Sequence, residues 1–292
     1  MANDQDNFKR PFPALTPPQR LYFDVFGYVV IENAISENLT NRILSSLHCL
    51  KNEFLDTEVP LNATIRGSKI TQFEPNKIQF THVLETDPAI LEYVSHPRLV
   101  GMVEEIVGDT VRLEESEATI NSRDRSENHK IQPQYGFHLG VRPDMGTYTE
   151  NGLLHSNFVK TLTNLTPLGP DDGGTVVIAG SHKMKCPQDD IIKCAYEDTS
   201  LIHQITAPAG STLLFTEALI HATGQRRSDG ERAIIIAGYT PSHFQAWTGN
   251  QASDNFVSLV PKSLRPLISG SDGWHRQYRF RNLRDPVEQW GE

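Results

Sequence analysis

A chain of 292 residues with 38% hydrophobic and 22% charged residues carries enough apolar material for a sizeable core and is not a disordered tether. Its 27 Lys and Arg against 36 Asp and Glu leave a net charge of −9, which argues against nucleic acid or an anionic membrane as partner. Three cysteines, Cys49, Cys186 and Cys194, none in a C-x-x-C pair, exclude a disulfide framework or a Cys-based zinc site as the organising feature. No apolar run of about 18 residues occurs and the opening residues lack a signal-peptide core, so the expectation is a soluble, cytoplasmic protein.

Residues 1–19 mix Pro, Asn, Asp and Gln and read as an extended arm, with one domain expected over 20–292. The stretch QRLYFDVFGYVVIENAIS predicts a short helix, a break at Gly27, a strand over Tyr28–Ile31 and a cap at Ser36 for the next helix. That helix, 38–54, places Leu39, Ile43, Leu47 and Leu50 on one face. Two further helices are predicted within 87–107, parted at Ser95-His96-Pro97 and stopped at Gly108, so the first third reads as mostly helical. From about 109 to 245 short apolar runs such as GGTVVIAGS, STLLFTEALIHA and RAIIIAGYTP alternate with Gly, Pro, Asp and Asn, the pattern of many short strands. No helix of βαβ length separates them, which favours a sandwich, barrel or jelly roll over a parallel sheet. Residues 263–292 read as a C-terminal tail. The polar stretches 62–76, 122–134 and 142–151 read as loops that could cover a barrel mouth.

Of eleven histidines, a lone one is more often a surface or satisfied core residue than a ligand. His138 in QYGFHLGV and His221 in FTEALIHATGQ stand out, each at the end of a predicted strand. Two imidazoles on separate strands suit iron enzymes that use two His and normally one carboxylate, leaving a face open for cosubstrate and dioxygen. Arg232 opens the strand after the turn QRRSDGE, so a hairpin is expected to return it beside His221, where a guanidinium can hold a carboxylate bidentately. Thr223 adds a hydroxyl for the same acid.

In chain order, FGYVVIENAIS, HPRLVGMVEEIVGDTVRLEES, GPDDGGTVVIAGSHK and GSTLLFTEALIHATGQ with Arg232 resemble the phytanoyl-CoA dioxygenase family of Fe(II)/2-oxoglutarate oxygenases. The resemblance spans roughly residues 24 to 243. It implies a mainly β fold with α decoration: a double-stranded β-helix (jelly roll, cupin-like) with N-terminal helices. It also implies Fe(II) on His138 and His221, 2-oxoglutarate held by Arg232 and Thr223, and a small-molecule substrate. His182 falls in a family turn and is read as structural. His155, in LLHSN, competes with His138 for the first ligand position but lies only six residues before Thr161 of the following strand, so His138 is preferred.

The family's His-x-Asp motif stands here as His138-Leu139-Gly140, without its carboxylate. One reading is oxygenase chemistry with the carboxylate supplied from elsewhere or dispensed with. A second is that Gly140 opens a position for chloride or bromide, as in iron/2-oxoglutarate halogenases. A third is a jelly-roll binding module without catalysis. Glu217 shares a strand face with His221, but four residues of extended chain set their Cα atoms about 13 Å apart, so substrate contact is the role expected of it rather than iron ligation. Oligomeric state and substrate identity are not legible.

Overall fold

The computed structural model describes residues 14–57, 60–74, 76–124, 134–150 and 152–270. Most of the expected arm, most of the 122–134 loop and the tail beyond 270 lie outside these residues.

The first helix, α1 (Pro17–Phe26), begins three residues inside the expected arm. Thr16 accepts from the Gln19 amide and the Gln19 side chain accepts from the Thr16 amide, a reciprocal cap. Two prolines follow where helix N–H groups have no partner to lose. Gly27, at φ +82°, ends the helix, and any side chain there would strike the ring of buried His182, 2.5 Å from the added carbon. Two of the motifs behind the family resemblance therefore meet, and burial pushes the His182 ring down to about pKa 4.

β1 (Tyr28–Ile31) follows as expected, and Ser36 accepts from the Leu39 amide at the head of α2 (Glu37–Thr57). That helix buries Leu39, Ile43, Leu47 and Leu50. The 62–76 segment is a correction, since it holds β2 (Thr64–Ile65) and most of β3 (Ser68–Glu74), which pairs with β4 (Lys77–Thr81). Arg66 (φ +49°) and Gly67 (φ +85°) make the two-residue left-handed turn between β2 and β3, a hairpin turn usually announced by Asn-Gly. The first third is thus helices plus four strands, less helical than expected.

Helices α3 (Pro88–Val94) and α4 (Pro97–Val107) part as predicted, and Gly108 at φ +76° stops the second. The long β5 (Val111–Ser122) comes next. The 142–151 segment is a second correction: it forms α5 (Pro143–Gly146) and β6 (Thr147–Glu150), hairpinned onto β7 (Leu153–Ser156). β8 (Val159–Asn164), β9 (Val176–Ile178), α6 (Gln188–Glu197), β10 (Ile202–Gln204), β11 (Thr212–Thr216), β12 (His221–Ala222), β13 (Glu231–Pro241), α7 (Asp254–Leu259) and α8 (Arg265–Ser269) complete the order.

Among the described residues the major sheet runs β1-β11-β8-β13-β5-β4-β3-β2 and the minor sheet β10-β9-β12. Consecutive strands switch sheets from β8 to β9, β10 to β11, β11 to β12 and β12 to β13, the double-stranded β-helix arrangement. One apolar core packs the helices on the outer face of the major sheet, through residues such as Leu47, Phe80, Ile90, Val103 and Ile235. A smaller one, including Leu162, Val177, Leu213 and Phe215, fills the space between the sheets toward one end. The rest of that interior is polar.

Candidate active site

Strand periodicity lays out the site. On β5, Glu115, Glu117, Thr119 and Asn121 alternate with Ser116, Ala118 and Ile120, so one side chain in two faces the inner space. Antiparallel register sets Asn121 opposite Lys77 and Arg232, and Thr119 opposite Gln79 and Ile234. Together with Lys160, His138, His221 and Thr223, these groups line a cavity of about 320 Å³.

The two histidines sit side by side. His138, on an irregular segment, exchanges both backbone hydrogen bonds with His221 at 2.9 Å, extending the minor sheet by one bridge. Their ring centroids are 4.3 Å apart. Each ring places Nδ1 on a carbonyl two residues earlier, His138 on Gly136 at 3.1 Å and His221 on Leu219 at 2.8 Å. With Nδ1 carrying the proton, Nε2 of each keeps its lone pair for a metal. Burial, with His138 adding, drives the His221 pKa down to about 3, so this imidazole is neutral across the physiological range.

Arg232 lies at the other end of the cavity lining, 1% exposed. Its Nε has no hydrogen-bond partner, and among the described residues no carboxylate forms an ion pair with it. Burial, aided by Arg226, lowers its pKa to about 10, which still leaves it charged at neutral pH. A buried guanidinium without an acid is costly unless an anion joins it, so the arrangement fits a ligand carboxylate. Thr223, exposed at the cavity wall, stands with it.

The route by which Arg232 arrives differs from the expected hairpin. β12 pairs with β9 in the minor sheet, whereas β13 pairs with β5 and β8 in the major sheet. The QRRSDGE turn therefore crosses between sheets, and Arg232 faces the cavity from the wall opposite His221. Sequential apolar runs look alike whether they pair with one another or lie in separate sheets.

The position of Glu217 is a further correction. β11 ends at Thr216, and the chain turns through residues 217–220, with the Leu219 amide on the Thr216 carbonyl at 3.0 Å. Glu217 and His221 are thus not separated by extended strand, and Glu217 Oε1 lies 3.8 Å from His221 Nε2. Lys160 Nζ bridges Glu217 at 3.2 Å and Glu115 at 2.5 Å. Burial alone would lower the Lys160 pKa, but the charges of Glu217 and Glu115 outweigh it and hold the ammonium above the ordinary lysine range. Glu117 on the same inner face is pushed up to about 7, by burial first and then by Glu115.

His155 is elsewhere, stacked on Tyr148 with centroids 5.1 Å apart and its Nδ1 on the Ile106 carbonyl at 3.1 Å. Sequence reasoning missed Lys160, Glu115, Glu117 and Asn121. The signal was present in the alternation of LEESEATIN, but a polar inner face inverts the usual rule that the apolar face turns inward.

Iron fits these side chains in kind. Among the described residues no three His, Cys, Asp or Glu side chains already close around one point. Nevertheless two neutral imidazoles stand with free Nε2 atoms beside a carboxylate, and metal bonds of about 2.0–2.2 Å allow two ligands of one ion to stand up to about 4.2 Å apart. The 3.8 Å between His221 Nε2 and Glu217 Oε1 lies within that limit.

Comparison with known proteins points the same way. The family model for phytanoyl-CoA dioxygenase (PhyH) matches residues 23–234. A probable phytanoyl-CoA dioxygenase of Caenorhabditis elegans is 23% identical over 261 residues, covering 80% of this chain and 78% of its own. Among solved structures, HygX from Streptomyces hygroscopicus, with nickel and 2-oxoglutarate bound, aligns at a TM-score of 0.60 and 22% identity over 80% of this chain and 90% of its own. EctD from S. alaskensis, with bound Fe, aligns at a TM-score of 0.59 and 17% identity, covering 84% and 81%.

Proposed function

Because the chain belongs to the phytanoyl-CoA dioxygenase family, we propose that it is an Fe(II)/2-oxoglutarate-dependent dioxygenase that oxidises a C–H bond of a small molecule. The observation that carries this reading is the convergence, in one cavity, of two Nε2-free imidazoles and a buried guanidinium that lacks an acid. His138 and His221 would hold the iron, and Arg232 with Thr223 the far carboxylate of 2-oxoglutarate. Iron and 2-oxoglutarate supply the coupling of substrate C–H oxidation by dioxygen to decarboxylation, giving C–OH, succinate and carbon dioxide.

The chain's own residues do the rest. The backbone bridge between His138 and His221 fixes the two rings relative to each other. The Leu219 carbonyl holds the His221 ring in the tautomer that presents Nε2. Arg232, charged and dry, orients a diacid at the end of the cavity away from the histidines. Leu162, Phe215, Ile234 and Ile236 close the walls and limit water at the reacting end. A polar small-molecule substrate is supported by the likeness to HygX, of which one structure holds hygromycin B.

Gly140 keeps a second reading in view, halogen transfer from chloride or bromide bound where the family's aspartate is missing. Both readings are tested by incubating the protein with Fe(II), 2-oxoglutarate, a metabolite extract and either halide, followed by mass spectrometry. The expected products are succinate and a metabolite gaining one oxygen, abolished by His221→Ala and needing roughly 100-fold more 2-oxoglutarate in Arg232→Ala. A halogenated product would overturn hydroxylation. Failure to take up metal or consume 2-oxoglutarate would leave the binding module.

A further inference from the structure

The third protein ligand that the His138-Leu139-Gly140 motif lacks is at hand in space. The segment 138–141 runs alongside 217–221: the amides of Gly140 and Val141 both donate to the Glu217 carbonyl, at 2.9 and 3.2 Å, while His138 bridges His221. This pairing sets the Cα of Gly140 against the Glu217 side chain. A β-carbon built on Gly140 would overlap Glu217 Oε2 and lie 2.9 Å from its Cδ. Real side chains do not approach so closely, so residue 140 and Glu217 compete for one volume.

The other carboxylate oxygen, Oε1, stands 3.8 Å from His221 Nε2 and 3.2 Å from Lys160 Nζ. Lys160 is in turn held by Glu115 at 2.5 Å. That contact depends on Gly238, which lies between Glu115 and Lys160 in the register and where a β-carbon would fall 2.7 Å from Glu115 Cγ. The carboxylate is therefore oriented by a buried cation and does not swing freely in the pocket.

We propose that Glu217 takes the place of the missing aspartate as the site's carboxylate ligand, and that by filling the space beside Gly140 it closes the position a halide would need. This rests on the reading of the cavity as an iron site. Glycine at 140 is then the residue that admits Glu217, and not an opening for an anion. The chemistry is suitable: a carboxylate neutralises one charge of the ion and suits a two-histidine, one-carboxylate set. Lys160 and Glu115 are positioning residues that act through Glu217.

The test is metal binding by the full chain, followed by titration and by the Co(II) absorption spectrum, without turnover. Wild type is expected to bind Co(II) and Fe(II), with a Co(II) spectrum indifferent to chloride. Glu217→Gln keeps the shape and hydrogen-bonding capacity, and Glu217→Ala removes the side chain. Both are expected to weaken metal binding at least about 10-fold, and Glu217→Ala is expected to acquire a chloride-dependent spectrum. The double substitution Gly140→Asp/Glu217→Ala, which returns a carboxylate through the vacated volume, is expected to recover affinity and lose the chloride response.

Unchanged affinity in Glu217→Gln and Glu217→Ala, with wild type binding metal, would overturn the assignment of Glu217 while leaving the iron site intact. So would a chloride response in wild type. A swap variant that binds no better than Glu217→Ala would overturn the equivalence of the two positions. Absence of metal uptake by wild type overturns the iron site itself, and with it this inference.

Discussion

The two faces of β4, β5 and β13 are made by the same strands and share every backbone hydrogen bond, yet they behave as different materials. The outer face carries Ile78, Phe80, Ala118, Ile120, Ala233, Ile235 and Ala237 and packs against the helices. The inner face carries Lys77, Gln79, Glu117, Thr119, Asn121 and Arg232 and packs against nothing protein can supply in full. The first face stabilises the fold by removing apolar surface from water. The second holds charges away from water and accepts the penalty because ligands complete them. Parity along a strand, one residue to the next, separates stability from chemistry.

The largest effect expected from breaking this contrast is on the outer face. Phe80→Ala, at a fully buried ring, should cost about 3–5 kcal/mol in urea unfolding, while the metal affinity of the remaining folded molecules stays unchanged. A parallel loss of metal affinity would show that the two faces are not separable.

On the inner face the stability effect should reverse sign with pH. Glu117 titrates near 7 in the fold, against a model value of 4.5, so the native state binds the extra proton between those values. Its contribution is fully present below about pH 4.5 and is lost as pH rises through 7. Replacing it with glutamine should therefore make the metal-free protein more stable than wild type at pH 8, by on the order of 2 kcal/mol, with little difference at pH 4.5. Urea titrations at the two pH values measure this, and equal differences at both would refute the assigned cause.

The smallest effect concerns Thr223, whose exposed hydroxyl lines the cavity. Thr223→Val should raise the 2-oxoglutarate requirement by roughly 5- to 10-fold, the value of one neutral hydrogen bond, and leave thermal stability within about 0.5 kcal/mol of wild type. An unchanged requirement would remove Thr223 from the cosubstrate site.

Much of the local structure was legible because short-range physics decides it. Gly27 and Gly108 end helices in the left-handed region, Ser36 caps α2, and the apolar spacing of α2 names its buried face. The β2–β3 hairpin was not legible, because its turn uses Arg66-Gly67 between polar strands, and a polar stretch reads as loop unless the turn is recognised. The inner face of β5 was passed over for a related reason: its period was visible, but hydrophobicity gives no sign of which face a cavity will occupy.

The sequence by itself determined the elements, their order and the residue types able to bind iron and a diacid, since caps, turns and periodicity depend on neighbours a few positions away. The tertiary structure decided which groups meet. It set Arg232 on the wall opposite His221, and it turned the chain after Thr216 so that Glu217 fell into the space that Gly140 leaves open. A missing carboxylate at one position and a spare one 77 residues later are unrelated in the chain. They become one feature where two sheets fold over each other, because excluded volume acts between atoms wherever their residues lie in the sequence.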